Sequence, residues 1–160
     1  MKTYSTYYRS PLGPIKILGS LDCILSLDFV DEERTGDSEL PFCLKACVKQ
    51  VDEYFKGDRR EFLLNLDPRG TQFQRSVWQQ LEKIPFGEVV TYADIAGTIG
   101  NPKACRAVGS ANGKNPISII IPCHRVIGSD GRLTGYGGGL WRKEWLLKHE
   151  KGLHPDNITA

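Results

Sequence analysis

Thr91-Tyr92-Ala93-Asp94-Ile95-Ala96-Gly97-Thr98-Ile99-Gly100-Asn101-Pro102-Lys103 is the stretch on which the architecture turns. Thr91 with an acid three residues on, Asp94, matches a capping box whose acid is shorter than the usual Glu. It predicts a short helix running through Ile99 and stopped by Gly100. Asn101 then supplies an N-cap and Pro102 a helix-compatible first position, so a second helix is expected to about Asn112. Two short helices joined by a tight glycine-containing turn are the outline of a helix-turn-helix. On the second helix Lys103, Arg106, Gly109, Ser110 and Gly113 recur at spacings of three or four and share a face. Ala104, Ala107, Val108 and Ala111 are expected to pack inward. Two cations among tiny side chains can approach a phosphate backbone or a narrow groove closely, whereas a major-groove reader would display more Asn, Gln and Arg. The same outline occurs in unrelated folds, where such a helix has no partner.

Downstream, Ile117 to Ile121 is apolar except for Ser118. It predicts a buried strand ended by Pro122, which has no N–H for the ladder. The strand would deliver Cys123 and His124 at a turn. A thiol is a strong nucleophile only as thiolate, and an imidazole can take its proton directly or through a water. The alternative is an inert buried cysteine beside a surface histidine. Gly128–Gly139 reads as a loop whose clustered glycines let backbone N–H groups approach a ligand, or as a mobile hairpin. Leu140, Trp145, Leu146 and Leu147 predict a closing helix through His149. Glu150 at its end is disfavoured by the helix dipole, by a few tenths to about 1 kcal/mol. That invites a local reason such as holding His124, against the commoner solvated glutamate.

Upstream, Lys2–Tyr8, Ile15–Leu18 and Cys23–Phe29 are rich in aromatic and β-branched residues and separated by turn signals, so three strands are expected. The acidic stretch Asp31–Glu39 reads as a solvated loop. Phe42, Cys43, Cys47, Val51, Tyr54 and Phe55 recur at helical spacing, predicting a helix over Leu40–Phe55, with a further strand at Glu61–Leu66. Phe73, Val77, Trp78 and Leu81 predict another helix over Gln72–Lys83. Asp67-Pro68-Arg69-Gly70 is a boundary signal. The expected division is a scaffold over 1–70, a functional unit over 71–150 and a polar tail over 151–160.

The 160 residues suffice for one ordinary domain or two small ones. No apolar run reaches membrane-spanning length, and Met1-Lys2-Thr3-Tyr4 opens no signal-peptide core, so a cytoplasmic location is expected. The five cysteines form no CxxC pair, which argues against a disulfide framework and a zinc site. Cys43 and Cys47 fit a core stripe better than a two-ligand site, and neither metal nor cofactor is expected. The net charge of +2 is uneven. Residues 1–70 carry 10 Lys/Arg against 12 Asp/Glu, and residues 71–150 carry 10 against 6. A basic second half suits a polyanion such as DNA, although solvated charge is the usual explanation.

Several of these residues resemble the O6-alkylguanine-DNA alkyltransferases, also called methylated-DNA–protein-cysteine methyltransferases. The matching elements are Phe73-Gln74 with Val77-Trp78, Thr91-Tyr92, Asn101-Pro102-Lys103 with Arg106-Ala107-Val108-Gly109, Asn115-Pro116, Ile121-Pro122-Cys123-His124-Arg125-Val126, Gly135-Tyr136, Gly138-Gly139-Leu140, Lys143-Glu144-Trp145-Leu146-Leu147 and His149-Glu150. The resemblance implies an α+β fold: a small N-terminal α/β scaffold of ribonuclease H-like type, then a mostly helical C-terminal domain with the helix-turn-helix. It implies DNA repair by a suicide reaction. Duplex DNA is bound, O6-alkylguanine is flipped out, and its alkyl group moves irreversibly to a cysteine, once per molecule. A monomer in solution is expected, with cooperative assembly on DNA left open.

Carried over by position, Cys123 resembles the alkyl acceptor. His124 resembles its base, acting through a water, and Glu150 the acid that orients His124. Asn115 resembles the organiser of the active-site turn. Tyr92 resembles the tyrosine that hydrogen-bonds the guanine, and Arg106 the finger that replaces the flipped base. Lys103, Thr91, Tyr92, Ser110 and Arg125 join Arg106 as expected DNA contacts. Val126, Tyr136, Gly137 and Ser118 are expected around the substrate pocket. Ser118 stands where human-type members carry proline and Gly137 where they carry serine. A roomier pocket is therefore expected, accepting adducts larger than methyl and O4-alkylthymine as a further candidate. The four-cysteine zinc cluster of some relatives is missing, so no transcription-activator role is expected. Three rivals remain: a lesion binder without chemistry, whose cysteine is typically replaced by tryptophan; a cysteine hydrolase; and a plain helix-turn-helix regulator.

Overall fold

In the computed structural model, which describes residues 1–152, the N-terminal aromatic and β-branched residues form an antiparallel meander. Its strands are β1 (Tyr4–Ser10), β2 (Gly13–Gly19) and β3 (Ile24–Phe29). Ser10 pairs with Gly13 across a two-residue connection. The Ser10 hydroxyl closes it by donating to the Gly13 carbonyl and accepting the Leu12 N–H, and Gly13 takes a positive φ of 106°. Alternation on β2 sends Ile15 and Ile17 inward. Helix α1 (Phe42–Phe55) covers this meander with Leu44, Cys47, Val51 and Tyr54, all fully buried. Gly19 is required here, because a Cβ would lie 2.5 Å from Leu44 Cδ1 and 2.8 Å from the Cys23 carbonyl. Cys47 behaves as a core residue, and burial pushes its thiol up to about 12.

Glu61–Leu66 is not a strand. Leu66 alone joins the ladder, as a parallel bridge to Ile24. The Gln50 side chain accepts the Leu63 N–H at 2.9 Å and donates to the Leu63 carbonyl at 3.2 Å. A side chain thus satisfies backbone groups that a strand neighbour would otherwise pair. The described chain divides into two bodies: Met1–Arg69 with Pro116–Ser118, and Gly70–Asn115 with Ile119 onward.

The second body begins with α2 (Gln72–Leu81), capped by a reciprocal pair between Thr71 and Gln74. It buries Val77, Trp78 and Leu81. Strand β4 (Val90–Thr91) leads into α3 (Tyr92–Thr98). Both bonds of the expected capping box are present, from the Thr91 N–H to Asp94 at 2.9 Å and from the Asp94 N–H to the Thr91 hydroxyl at 3.1 Å. Gly100, at φ 79°, ends that turn. The next helix starts later than its sequence signals imply: α4 is Cys105–Gly113. Asn101 donates its N–H back to Ala96 and accepts the Ala104 N–H. The Asn-Pro pair therefore builds the turn rather than the helix start. Ala104, Val108, Ala111 and Asn112 face inward, while Ala107 is exposed. Helix α4 packs on α2 and α3, and Trp78 Nε1 donates to the Ala111 carbonyl at 2.8 Å.

The expected strand over Ile117–Ile121 is absent, although Ile117, Ile119 and Ile121 are all fully buried. Ile117 makes one bridge to Leu27 in the first body. Ile119 then adopts φ 72°, a left-handed conformation that is an outlier for a β-branched residue and ends any extended run. The chain passes into a 3₁₀ turn (Cys123–Arg125), then β5 (Val126–Ile127), which pairs in parallel with β4. A loop follows to Gly139, and α5 (Leu140–Glu150) closes the described chain. Its buried residues are Lys143, Leu146 and Glu150, while Leu140 and Trp141 are exposed. Of the polar tail expected at 151–160, residues 153–160 lie outside the described residues. No described helix is long and apolar enough to cross a membrane.

Candidate active site

The 3₁₀ turn holds the expected nucleophile. Cys123 is its first residue and is 5% exposed. Its N–H donates to the Ile121 carbonyl at 2.8 Å. The amide of Asn115 donates to that same carbonyl at 2.7 Å, and the amide of Asn112 donates to the Cys123 carbonyl at 3.3 Å. Two buried asparagines near the end of α4 thus fix the backbone on both sides of the sulfur. Asn115 is among the residues carried over by resemblance. Asn112 is not, and its only sequence signal is a second Asn three positions earlier at a buried helix end.

His124 is fully buried, and its Nε2 lies 2.6 Å from Glu150 Oε2. Nδ1 has no hydrogen-bond partner among the described residues. Arg125 forks onto the same carboxylate, with Nε 2.7 Å from Oε1 and Nη2 3.0 Å from Oε2. Its Nη1 donates to the Ile84 carbonyl at 2.6 Å, and the Gly87 N–H reaches Oε1 at 3.3 Å. Arg125 was expected among the DNA contacts. The structure instead buries it against Glu150, with 7% of its side chain exposed, so it presents no surface to a phosphate.

The protonation of this cluster follows from its burial. Desolvation lowers the His124 pKa and outweighs the pull of Glu150, so the imidazole is neutral. Burial would raise the Glu150 carboxyl, but His124 and the Arg125 guanidinium hold it well below the usual carboxylate range. With His124 neutral, Arg125 is the effective charge partner. An ionised carboxylate only accepts hydrogen bonds, so Nε2 carries the imidazole proton and Nδ1 keeps a lone pair.

Tyr92 opens α3 and is half-buried. Its hydroxyl donates to the Thr134 carbonyl at 3.0 Å, and the Thr134 hydroxyl reaches it at 3.3 Å. Lys143 Nζ donates to the same Thr134 carbonyl at 2.7 Å and lies 5.9 Å from the Tyr92 ring centre. Burial lowers the Lys143 ammonium to about 8, with Cys123 pulling the other way. Arg106, Ser110 and Lys103 are exposed on α4 and the turn before it. The Thr91 hydroxyl is occupied as the α3 cap. Val126 is fully buried in β5, and Tyr136 is half-buried. A Cβ at Gly137 would stand 3.9 Å from the Gly113 carbonyl. Ser118 groups with the first body, its N–H on the Leu27 carbonyl.

A family model described as the DNA binding domain of 6-O-methylguanine DNA methyltransferase matches residues 72–152. A second, described as the ribonuclease-like domain of the same family, matches residues 3–68. The chain belongs to the 6-O-methylguanine DNA methyltransferase family. It is 48% identical over 154 residues to the methylated-DNA–protein-cysteine methyltransferase of Mycolicibacterium paratuberculosis, covering 94% of this chain and 93% of that protein. It is 47% identical over 152 residues to the enzyme of the same name from Methanosarcina acetivorans, covering 92% and 97%. Among solved structures, Mycobacterium tuberculosis OGT in complex with DNA matches with a TM-score of 0.86 and 46% identity over 96% of each chain. The α+β fold with its small N-terminal sheet body and helical second body is that of the family.

Proposed function

We propose that the chain is a methylated-DNA–protein-cysteine methyltransferase that repairs O6-alkylguanine in duplex DNA, with Cys123 as the alkyl acceptor. One observation carries the assignment: a nearly buried cysteine lies beside a neutral histidine that a carboxylate holds in one tautomer. The Cys123 proton moves through a water to Nδ1 of His124. The thiolate attacks the alkyl carbon, an S–C bond forms and the C–O6 bond breaks. The electron pair of that bond leaves with the guanine, which the Tyr92 hydroxyl stabilises as charge builds on the ring. A thioether is not reduced as a disulfide is, so each molecule acts once.

To reach a flipped base, the Tyr92 hydroxyl exchanges the Thr134 carbonyl for the base. That carbonyl keeps its Lys143 partner, so the exchange leaves no buried acceptor unmet. Flipping costs a few kcal/mol. Arg106 enters the stack in place of the base, and Lys103 and Ser110 bind the backbone beside it. The small side chains of α4 allow this close approach through the minor groove. Residues 1–70 serve as scaffold and 71–150 carry the chemistry, in the cytoplasm, where thiols stay reduced. Gly137 leaves room for adducts larger than methyl, with O4-alkylthymine as a further substrate.

The test is mass spectrometry after incubation with duplex DNA bearing O6-methylguanine. The Cys123 peptide gains the mass of one CH₂, and no more than one per protein. Cys123→Ser abolishes transfer while retaining DNA binding, and Arg106→Ala slows repair without blocking a small thiol reagent. Unrepaired duplex after exposure to reduced protein would sink the assignment. Repeated turnover on an ester would favour a cysteine hydrolase instead.

A further inference from the structure

Arg125 holds the carboxylate that holds the base, and the charges around it determine where a proton sits. The cluster comprises His124, Arg125 and Cys123 from the 3₁₀ turn, with Glu150 and Lys143 from α5. From the Ile84–Gly87 segment the groups reaching the cluster among the described residues are the Ile84 carbonyl, the Gly87 N–H and the Phe86 ring, 5.8 Å from the guanidinium carbon. The His124 and Glu150 side chains are 0% and 1% exposed, so water screens their charges little. The Arg125 fork places a permanent positive charge within 3.0 Å of both Glu150 oxygens. Guanidinium does not deprotonate in proteins.

We propose that Arg125 is a positioning residue that keeps the His124–Glu150 pair one proton short, leaving the lone pair on Nδ1 of His124. With Arg125 present, a carboxylate and a neutral imidazole together balance its charge. Without it, a buried anion remains, and the pair takes up one proton from solvent. That proton has two places to go. On the imidazole, it gives an imidazolium protonated at both nitrogens. On the carboxyl, it gives an acid that donates to Nε2, which shifts the imidazole proton to Nδ1. In both cases Nδ1 carries hydrogen and cannot accept the Cys123 proton. The fork thus fixes the tautomer as well as the orientation of the base. This rests on the proposed alkyl transfer for its purpose, but not for its test.

The test is ¹⁵N NMR of histidine-labelled protein at neutral pH. In the unaltered protein Nδ1 of His124 reads as an unprotonated nitrogen. In Arg125→Met it reads as protonated. Arg125→Gln keeps a donor for the Ile84 carbonyl, gives the same result, and serves if the Met variant does not fold. Arg125→Lys keeps the charge and so keeps the lone pair. The single-turnover transfer rate falls about a hundredfold in the Met and Gln variants, the lower range for loss of a positioned base. It stays within a few-fold in the Lys variant. An unprotonated Nδ1 in the Met or Gln variant overturns the proposal. Absence of transfer by the unaltered protein instead overturns the assigned function and leaves the NMR result standing.

Discussion

Lys143 lies on α5 with none of its surface exposed, where burial lowers its ammonium from 10.5 to about 8. Its folded pKa lies below its unfolded one, so between these values the unfolded chain binds the extra proton and stability rises with pH. Lys143→Met removes this contribution. The stability difference between the two proteins therefore shifts toward the unaltered chain as pH rises through about 8, read from urea unfolding at pH 7 and pH 10. Trp78 bonds a neighbouring element through one nitrogen. Trp78→Phe leaves the Ala111 carbonyl with the Lys114 N–H alone and costs about 0.5–1.5 kcal/mol, measurable in the same unfolding curves. The pairing of His124 with Glu150 was anticipated from an acid at an unfavourable helix end, whereas Asn115, bonded to the Ile121 carbonyl, was singled out by the family resemblance alone. Lys143, Asn112 and the true place of Arg125 were not legible, because a lysine on a helix and an arginine in a turn ordinarily point to solvent. Only the packed structure shows that they do not.

At the scale of elements, the apolar run before Pro122 shows what periodicity misses. Burial of the isoleucines was correctly implied, but one backbone angle turned a strand into a turn. Ile119 in the left-handed region costs roughly 1–2 kcal/mol, while full burial of its side chain contributes roughly 1.5–3 kcal/mol. At the middle of these ranges burial wins, so Ile119→Gly relieves strain yet lowers stability, by about 1 kcal/mol net in thermal unfolding. The capping box before α3 was legible because it is local chemistry, four residues long. Thr91→Ala should destabilise by about 1 kcal/mol, seen as a lower melting temperature. The start of α4 was less legible: Asn101 and Pro102 suit either a helix start or the turn before one, and the Asn101 N–H bonded back to Ala96 decides for the turn.

At the scale of the molecule, the charge division between the two halves of the sequence sets an expectation for DNA binding. The contacts proposed for α4 and the turn before it would release counterions, so affinity is expected to fall steeply as salt rises. Arg106→Ala and Lys103→Ala should each flatten the slope of log affinity against log salt by about 1, measured on undamaged duplex. The division into a sheet body and a helical body was legible from the turn residues at 67–70. The return of Pro116–Ser118 to the first body was not, because a bridge to a distant strand leaves no local mark.

The carboxylate that orients His124 is the last residue of the last described helix. During synthesis the cysteine is made first, and the ribosome must add 27 more residues before Glu150 exists. A nascent or prematurely released chain therefore carries the thiol without the carboxylate that orients its proposed base. Chains ended at residues 149 and 152 should differ sharply in their rate of labelling by an alkylguanine.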